Sequence, residues 1–468
     1  MSSTDYSSFK DPDGVAKLMA ELAAQRNSLK TLYAKVESVE TTVKRSILTT
    51  QQSTASLDNK LKQAADIVDA ALSSFGDDDD DDKNNNAKTS TPPIPPSTSF
   101  MPLPLPTATS DANTNPSQVC IAMLIRDPPI QSLHVFLKYH FSIGIKHIYL
   151  YFDDITNENV DVEAMNVANS YSNVTTVLCN EHWYRNLIHS SSSKCWSTYG
   201  EYLETDLIAR QVLAVEQAIL QSHKDEMDWL LHIDIDELLH FPHNIQTKVD
   251  QYFSNIPKHI DCIRFLNLEA APETMELKQI ESNDYFQELT LFKKNPSVAM
   301  NNATYRKHWP KNKNIFNAYQ NGKTAVRIHL DVLPLGSHKF QCNNDDRTLL
   351  SVDATGAEVL HYPNASFTLW YRKYKLLGHF PNEWCGTTTK ISGTIPKGCF
   401  HLESRGVVCG GGGGGGGEVN MDVSKELYRQ HVVFDQEKEI QELLRVGLLV
   451  RNVEIQMYLK HLLTSSKS

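Results

Sequence analysis

Three acidic residues in the middle of the chain have the types and spacing that could bind a divalent cation. Asp234, Asp236 and Glu237 come at the end of an apolar run that begins at Trp229. Such a run predicts a buried, parallel strand. Because side chains two apart on a strand point the same way, Asp234 and Asp236 should project together. Adjacent carboxylates repel unless a cation lies between them, and Mg²⁺ or Mn²⁺ can bridge carboxylates to phosphates. The pattern predicts a metal–diphosphate site.

Acids follow other apolar runs of the sequence as well. Asp127 follows the run 120–125, and Asp153 and Asp154 follow the run 147–152. An Asp-x-Asp alone is common, and an acid at a strand end is often a turn former or a helix cap. In parallel sheets, however, ligands bind beyond the carboxyl ends of the strands. Several acids at such ends favour one binding site over isolated turns.

Alternating strands and helices must position these acids, and the order of the patterns predicts an α/β fold with a mostly parallel sheet. Further strands are predicted near residues 262–266 and 288–292, and an aromatic- and cation-rich segment spans 359–380. Residues 118–400 should form this domain, followed by a flexible run of glycines and terminal helices. The other predicted elements are strands 120–125, 147–152, 175–179 and 229–233, helices 132–142 and 207–221, the glycine run 410–417 and helices 421–465.

The sequence before this domain has a different character. Leu22, Leu29, Val36 and Val43 recur every seven residues, which predicts a helix over 13–75. That helix could self-associate as a coiled coil or lie as an amphipathic helix on the following domain. Residues 76–117 contain an Asp run and a Pro/Ser/Thr-rich stretch that cannot bury a core, so they predict a disordered linker.

Composition narrows the class of protein. The 468 residues carry a net charge of −11, and this acidity argues against a nucleic-acid partner. The eight cysteines form no Cys-x-x-Cys pair, which argues against structural zinc, while their even number permits disulfides. We find neither a secretory signal nor a run long enough to cross a membrane. The sequence as written therefore predicts a cytoplasmic protein, or a Golgi or endomembrane protein if its N-terminus is misassigned.

Several blocks in order resemble the GT-A-fold nucleotide-sugar glycosyltransferases, in particular the family 2-like and family 92 group. The blocks include Tyr139-His140 with Gly144, and then the residues around Asp234 and Asp236. The resemblance covers about residues 118–380 and implies a GT-A, Rossmann-like sheet with flanking helices. The full set of matching blocks is 136–144, 147–151, 229–238, 322–327, 336–339 and 360–362 with Ser366 and Lys373.

The resemblance also implies roles for individual residues. Asp234 and Asp236 would hold Mn²⁺ or Mg²⁺ against the donor diphosphate, with His338 or His361 as a later contact. The remaining donor-binding residues would be Asp153 or Asp154 at the nucleoside, Arg126 and Asp127 in the same pocket, and Lys323 and Arg327 at diphosphate oxygens.

The implied reaction transfers a sugar from a nucleotide-sugar donor to a hydroxyl acceptor such as a glycan, glycoprotein or glycolipid, with inversion. A divalent cation stabilises the charge of the leaving diphosphate, and one carboxylate acts as base. Glu269 is preferred as this base and Glu383 is the alternative, although Glu269 could equally be a surface carboxylate. His140 should be packed in its helix. Trp196, Trp370 and Trp384 could stack on sugars, with core packing as their default role.

Two other functions compete with this interpretation. A metal-dependent nucleotidyltransferase or phosphohydrolase also groups acids at strand ends, but we find no Gly-x-x-x-x-Gly-Lys loop to bind phosphates. A catalytically degenerate scaffold, assembled through residues 13–75, is the non-enzymatic alternative. The intact pair Asp234 and Asp236 favours the enzyme.

Overall fold

The structure is a computed structural model, and the part of it described below has internal gaps. The predicted coiled coil at 13–75, most of the linker at 76–117 and the glycine run at 410–417 lie outside the described residues. These comprise 116–155, 161–189, 193–242, 248–278, 284–297, 307–311, 313–329, 331–343, 347–378, 384–385, 400–409 and 421–465.

A central sheet of seven strands carries the fold, in the spatial order β12-β6-β9-β4-β1-β2-β3. The neighbours of β1 on both sides run parallel to it, whereas β9 is antiparallel to β4 and β6. The prediction of an α/β fold with a mostly parallel sheet is therefore confirmed. The strands are β1 (Val119–Ile125), β2 (His147–Asp153), β3 (Val174–Cys179), β4 (Trp229–His232), β6 (Cys262–Phe265), β9 (Lys323–Arg327) and β12 (Ser351–Asp353).

Helices cover both faces of this sheet, because alternate side chains of its strands point to opposite sides. The odd-numbered residues of β1 pack in one apolar cluster with the helix at 130–142, and the even-numbered ones pack in another with the helix at 207–224. The helices are α1 (Ile130–Ser142), α2 (Val162–Asn169), α3 (Glu181–His189), α4 (Trp196–Tyr199), α5 (Leu207–Lys224), α6 (Val249–Ser254), α7 (Tyr285–Glu288), α8 (Phe367–Leu377), α9 (Phe400–Cys409), α10 (Met421–His431), α11 (Glu437–Arg445) and α12 (Glu454–Ser465).

A second sheet of five strands, in the order β14-β8-β7-β13-β5, is the main feature that the sequence did not predict. The predicted strand at 288–292 is only partly right, because the chain is helical up to Glu288 and extended from Leu291. Two further strands form a separate antiparallel ribbon. The remaining strands are β5 (Glu237–His240), β7 (Asn267–Ala270), β8 (Leu291–Lys293), β13 (Glu358–His361) and β14 (Leu449–Arg451), with the ribbon β10 (Val332–Leu335) and β11 (Lys339–Cys342).

The two sheets are joined at the end of β4. This strand belongs to the central sheet and the next one, β5, belongs to the second, so residues 233–236 cross from one to the other. Over the ranges given above, no helix combines the length and apolarity that a bilayer crossing requires.

Candidate active site

The Asp-x-Asp motif lies in the turn between β4 and β5, and not on a strand as predicted. The turn begins after His232 and ends at Glu237, whose backbone N–H donates to the carbonyl of Asp234. The Asp234 N–H in turn donates to the Glu237 carboxyl at 2.7 Å. The alternation of side chains along a strand therefore does not orient these acids. Contacts with three other segments orient them instead.

A lysine neutralises each aspartate of the motif. Lys323 donates to Asp234 at 2.6 Å, and Lys373 donates to Asp236 at 3.3 Å. Burial raises the pKa of both carboxyls, but the positive charge of the lysines outweighs it, so both pKa values lie below the ordinary range. Lys323 is fully buried and Lys373 is partly open to solvent. Both aspartates are therefore ionised at neutral pH.

Ligand-type atoms of Asp236, Glu237 and His361 converge at one point, within 4.8 Å of one another. The Nε2 of His361 lies 3.8 Å from an oxygen of each acid, which is longer than a hydrogen bond. Burial raises the pKa of Glu237 to about 8 and lowers that of His361 to about 4. The imidazole is therefore neutral at pH 7, the form that binds metals. Two carboxyls and an imidazole are a donor set that divalent cations accept.

The two other predicted metal ligands lie beside this group but are not part of it. The Asp234 carboxylate accepts hydrogen bonds from the Lys323 ammonium and from the Gln211 amide, the latter at 3.3 Å. His338 donates from Nδ1 to the carbonyl of Gly322 at 3.0 Å. Burial lowers the pKa of His338 to about 3, so it too is neutral.

The register of the second sheet aligns four ionisable side chains in one row. Glu237 on β5 is opposite His361 on β13, His361 is opposite Glu269 on β7, and Glu269 is opposite Lys293 on β8. All four are buried. Lys293 donates to Glu269 at 2.7 Å, with both side chains 1% exposed. The candidate metal ligands thus continue into a buried ion pair, which we call the cross-strand row.

This arrangement does not fit the predicted role of Glu269 as the base. Besides the Lys293 ammonium, its carboxylate accepts the backbone N–H groups of Asn317 and Ala318 at 2.9–3.0 Å. It is buried and does not line the cleft described next, a position that does not suit a base for an acceptor hydroxyl. Its contacts are those of an anchor for the segment that contains Asn317. The alternative base, Glu383, lies outside the described residues.

A cleft of about 1540 Å³ opens beside the acids, and half of the predicted donor-binding residues line it. Arg126, Asp127 and Asp153 are in its wall, together with Asp234, Asp236, His338 and His361. Asp127 has a φ of 47°, unusual for a residue other than glycine, and Arg372 binds its carboxylate at 2.6 Å. The sequence therefore brings the carboxyl ends of β1, β2 and β4 to one cavity, as predicted.

Asp153 and Asp154 differ in their access to the cleft. Asp153 lines it and forms a buried ion pair with Arg210 of α5 at 3.0 Å. Burial raises the pKa of Asp153, although Arg210 opposes this effect. Asp154 is also buried, but it is not in the cleft wall. Asp153 is thus the better placed of the two to contact a nucleoside.

Lys323 and Arg327 do not face the cleft as the diphosphate contacts that the resemblance implied. Lys323 is directed at Asp234 and Glu237, so its charge neutralises carboxylates. Arg327 is opposite Trp229, at the start of β4, and its guanidinium lies 4.3 Å from the indole ring. The Arg327 side chain donates to the carbonyls of Ile260 and Pro257, both at 3.2 Å. The prediction for Arg327 is wrong, because the strand carries it to the opposite end of the sheet.

This position leads to a prediction. Arg327→Met removes two hydrogen bonds and a cation–π contact, and should lower the free energy of unfolding by about 1–3 kcal/mol. The KM for a nucleotide-sugar should not change, because the guanidinium is far from the acids. Lys323→Met, on the same strand, is the matched comparison and should weaken donor binding. Thermal denaturation and steady-state kinetics measure both effects. A raised donor KM in Arg327→Met would restore its predicted role.

The three tryptophans and His140 also differ in whether they line the cleft or pack in the core. Trp370 is completely buried and donates to Ser404, so it belongs to the core, whereas Trp384 lines the cleft. Trp196 is half-buried and is not in the cleft wall. His140 is buried within α1 and bonds only backbone groups, as its predicted packing role requires.

Several residues of the site had no signal in the sequence. Tyr319 donates its hydroxyl to Glu237, and its ring stacks on His361 with centroids 4.8 Å apart. Gln211, Lys293 and Arg372 also make the contacts given above. Gln211 is on α5, the helix that precedes β4, and the other three come from segments far from the motif in the chain.

Comparisons with known proteins identify a family whose members match much of this chain. The family model for glycosyltransferase family 92 matches residues 115–389, more than half of the chain. Two proteins of Arabidopsis thaliana described as glycosyltransferase-like are 29% and 28% identical over 249 and 252 residues. Each match covers 53% of this chain, but only 44% and 51% of those proteins, so the chain matches about half the length of these relatives.

One solved structure is similar at a much lower level. The bifunctional glycosyltransferase WbbM, in its apo form, matches 34% of this chain and 24% of its own at 12% identity. The TM-score is 0.18, a likeness too slight to bear on fold or function.

Proposed function

This chain belongs to glycosyltransferase family 92, and we propose that it transfers a sugar from a nucleoside-diphosphate donor to a hydroxyl acceptor, with inversion and with a bound divalent cation. The observation that carries the proposal is the convergence of Asp236, Glu237 and His361 beside a large cleft, whose wall includes Asp236 and His361. When a glycosyl group is transferred from a diphosphate, negative charge develops on the leaving oxygens and must be stabilised. A cation held by these three side chains would stabilise that charge.

The residues present fit Mn²⁺ or Mg²⁺. Asp236 and Glu237 supply oxygens and His361 a neutral nitrogen, which lies 3.8 Å from an oxygen of each acid. When bound, the cation would act as a Lewis acid toward the diphosphate. Asp236, Glu237 and His361 would hold it, and Asp234, neutralised by Lys323, would stabilise the turn.

The cleft wall suggests how the rest of the donor is held. Arg126 and Asp153 follow β1 and β2, where a parallel sheet binds nucleotides, and would contact the nucleoside. Lys373 lies beside Asp236 and is partly exposed, so its ammonium could reach a phosphate oxygen. The half-buried Trp384 offers an apolar face on which a sugar ring can stack. An inverting transfer needs one carboxylate base from the cleft wall and no covalent intermediate.

A donor screen tests this function. The full chain would be incubated with each common nucleotide-sugar, with Mn²⁺ or with a chelator, and the released nucleoside diphosphate would be measured. We expect release with at least one donor, dependent on metal and increased by an acceptor glycan. Arg264→Met, which disrupts an ion pair with Asp353, is a folded control. If no donor binds or turns over with either metal, the proposal fails.

Two of the buried histidines, His361 and His140, should respond differently to replacement. His361→Ala removes a ligand of the cation and should lower kcat about 100-fold while the fold is retained. His140→Ala leaves a buried N–H without its acceptor and should lower the free energy of unfolding by about 1–3 kcal/mol, with turnover near normal. Kinetics and melting temperatures of both variants separate the two roles. Full turnover in His361→Ala would remove it from the site.

A further inference from the structure

Tyr319 contacts Glu237 and His361 of the acidic site without belonging to the candidate ligands. Its hydroxyl donates to Glu237, and its ring stacks on His361 at an interplanar angle of 30°. The other neighbours of the ring are His338, with centroids 4.3 Å apart, and the Lys323 ammonium at 5.3 Å. Tyr319 also lines the cleft. One side chain thus touches two of the three groups that converge there.

The segment that contains Tyr319, residues 314–321, is hydrogen-bonded to buried side chains on β7 and just after β8. Glu269 accepts the N–H groups of Asn317 and Ala318, as described above. Asn267, also on β7, donates its amide to the carbonyl of Tyr319 at 3.0 Å, and Asn295 donates to the carbonyl of Gln320 at 2.9 Å. All three side chains are buried. The backbone on both sides of Tyr319 is therefore fixed by polar groups that solvent does not reach.

From these contacts we propose that Tyr319 is a positioning residue for the metal site, and that Glu269 sets its position through the backbone. The Tyr319 hydroxyl holds Glu237, and the Tyr319 ring keeps the imidazole of His361 in the orientation that directs Nε2 at Asp236. Glu269 is next to His361 in the cross-strand row. It also accepts the N–H of Asn317, in the same segment as the Tyr319 ring that stacks on His361. The proposal rests on the proposed function, because it presumes that a cation binds here.

The physical reason is preorganisation. Ligands whose directions are fixed before a metal binds lose less conformational freedom when it binds, and loss of an outer partner typically costs 10–100-fold in metal affinity. His361 needs such support from its surroundings, because its Nδ1 is buried without a hydrogen-bond partner in the part of the chain that the structure describes. The stacking contact with Tyr319 fixes the orientation of the imidazole in place of a hydrogen bond to Nδ1.

The test measures Mn²⁺ binding to the full chain, by calorimetry and by the electron paramagnetic resonance signal of free Mn²⁺. Tyr319→Phe removes only the hydroxyl, and Tyr319→Ala removes the ring as well. Tyr149→Phe is the matched control, because it also deletes a tyrosine hydroxyl bonded to a carboxylate, that of Asp225 at 2.7 Å, and Tyr149 does not line the cleft. We expect the Mn²⁺ dissociation constant to rise about tenfold in Tyr319→Phe and further in Tyr319→Ala. It should not change in Tyr149→Phe.

The outcomes separate this proposal from the function on which it rests. If the unchanged protein binds Mn²⁺ and Asp236→Asn does not, the metal site is supported. An unchanged affinity in both Tyr319 variants would then overturn the positioning role alone. If Tyr149→Phe weakens Mn²⁺ binding as much as Tyr319→Phe, the effect is general loss of stability, and the positioning role is again wrong. If the unchanged protein binds no Mn²⁺, the metal site and Tyr319's role in it both fail.

Discussion

Asp236→Asn is expected to reduce kcat at least 100-fold, roughly the cost of losing one charge-stabilising group in a transition state, and to abolish Mn²⁺ binding. The side chain is one of the three that converge, and asparagine keeps its shape but not its charge. The fold should survive, because the Asp236 carbonyl still accepts the N–H of Tyr362. The lost ion pair is with a partly exposed lysine, which contributes little to stability. Turnover, Mn²⁺ calorimetry and melting temperature are the measurements.

Asp353→Asn is the control for this experiment. Asp353 also pairs with a cation, Arg264, at 2.6 Å, but it is on an edge strand of the central sheet and does not line the cleft. It should keep normal turnover and metal binding. If Asp236→Asn still binds Mn²⁺ as tightly as the unchanged protein, Asp236 is not a ligand and the metal assignment is wrong.

Glu269→Gln is expected to destabilise the protein strongly. The substitution leaves the Lys293 ammonium buried without its counter-charge, and breaking a buried pair in this way costs about 3–5 kcal/mol. It also weakens the two backbone contacts that hold residues 317 and 318. The melting temperature should fall by several degrees, while turnover measured well below that temperature should change far less than in Asp236→Asn. Calorimetric unfolding and kinetics test both statements.

A double variant makes the Glu269 experiment decisive. Glu269→Gln combined with Lys293→Met removes both charges and should recover much of the lost stability, because no uncompensated charge is left in the core. A catalytic base would behave in the opposite way. If Glu269→Gln is stable but inactive and the double variant stays inactive, Glu269 is the base after all and the anchor role is wrong.

The sequence predicted those parts of the fold that depend on local pattern. The apolar run of β1 is buried on both faces, and such a run predicts a central parallel strand whatever the partner. Helix α1 and the turn at Gly144 followed from spacing and from a residue that adopts positive φ, here 107°. The acids after β1, β2 and β4 were predicted to lie together because parallel strands end at one edge.

The sequence did not predict which residues of distant strands lie opposite one another. Arg327 was assigned to the site because the matching block 322–327 contains both it and Lys323, yet the two residues lie at opposite ends of β9. Glu269 was identified as an acid near a strand, but its partner Lys293 is defined only by the pairing of β7 with β8. Tyr319 follows no periodic segment, and it contacts the site only because buried side chains hold the backbone beside it.

The turn at residues 233–236 also constrains how this gene can vary in length. An insertion or deletion of one residue there would shift β5 by one place, and a one-place slip turns every side chain of a strand to the other face. Glu237 would leave the row that it shares with His361, and Leu238 and Leu239 would exchange their environments. Substitutions within the turn alter the contacts of one side chain, whereas a change of length would disrupt a whole sheet. Length changes should therefore be far rarer here than at the protein surface, a pattern that a library of single-codon insertions would reveal.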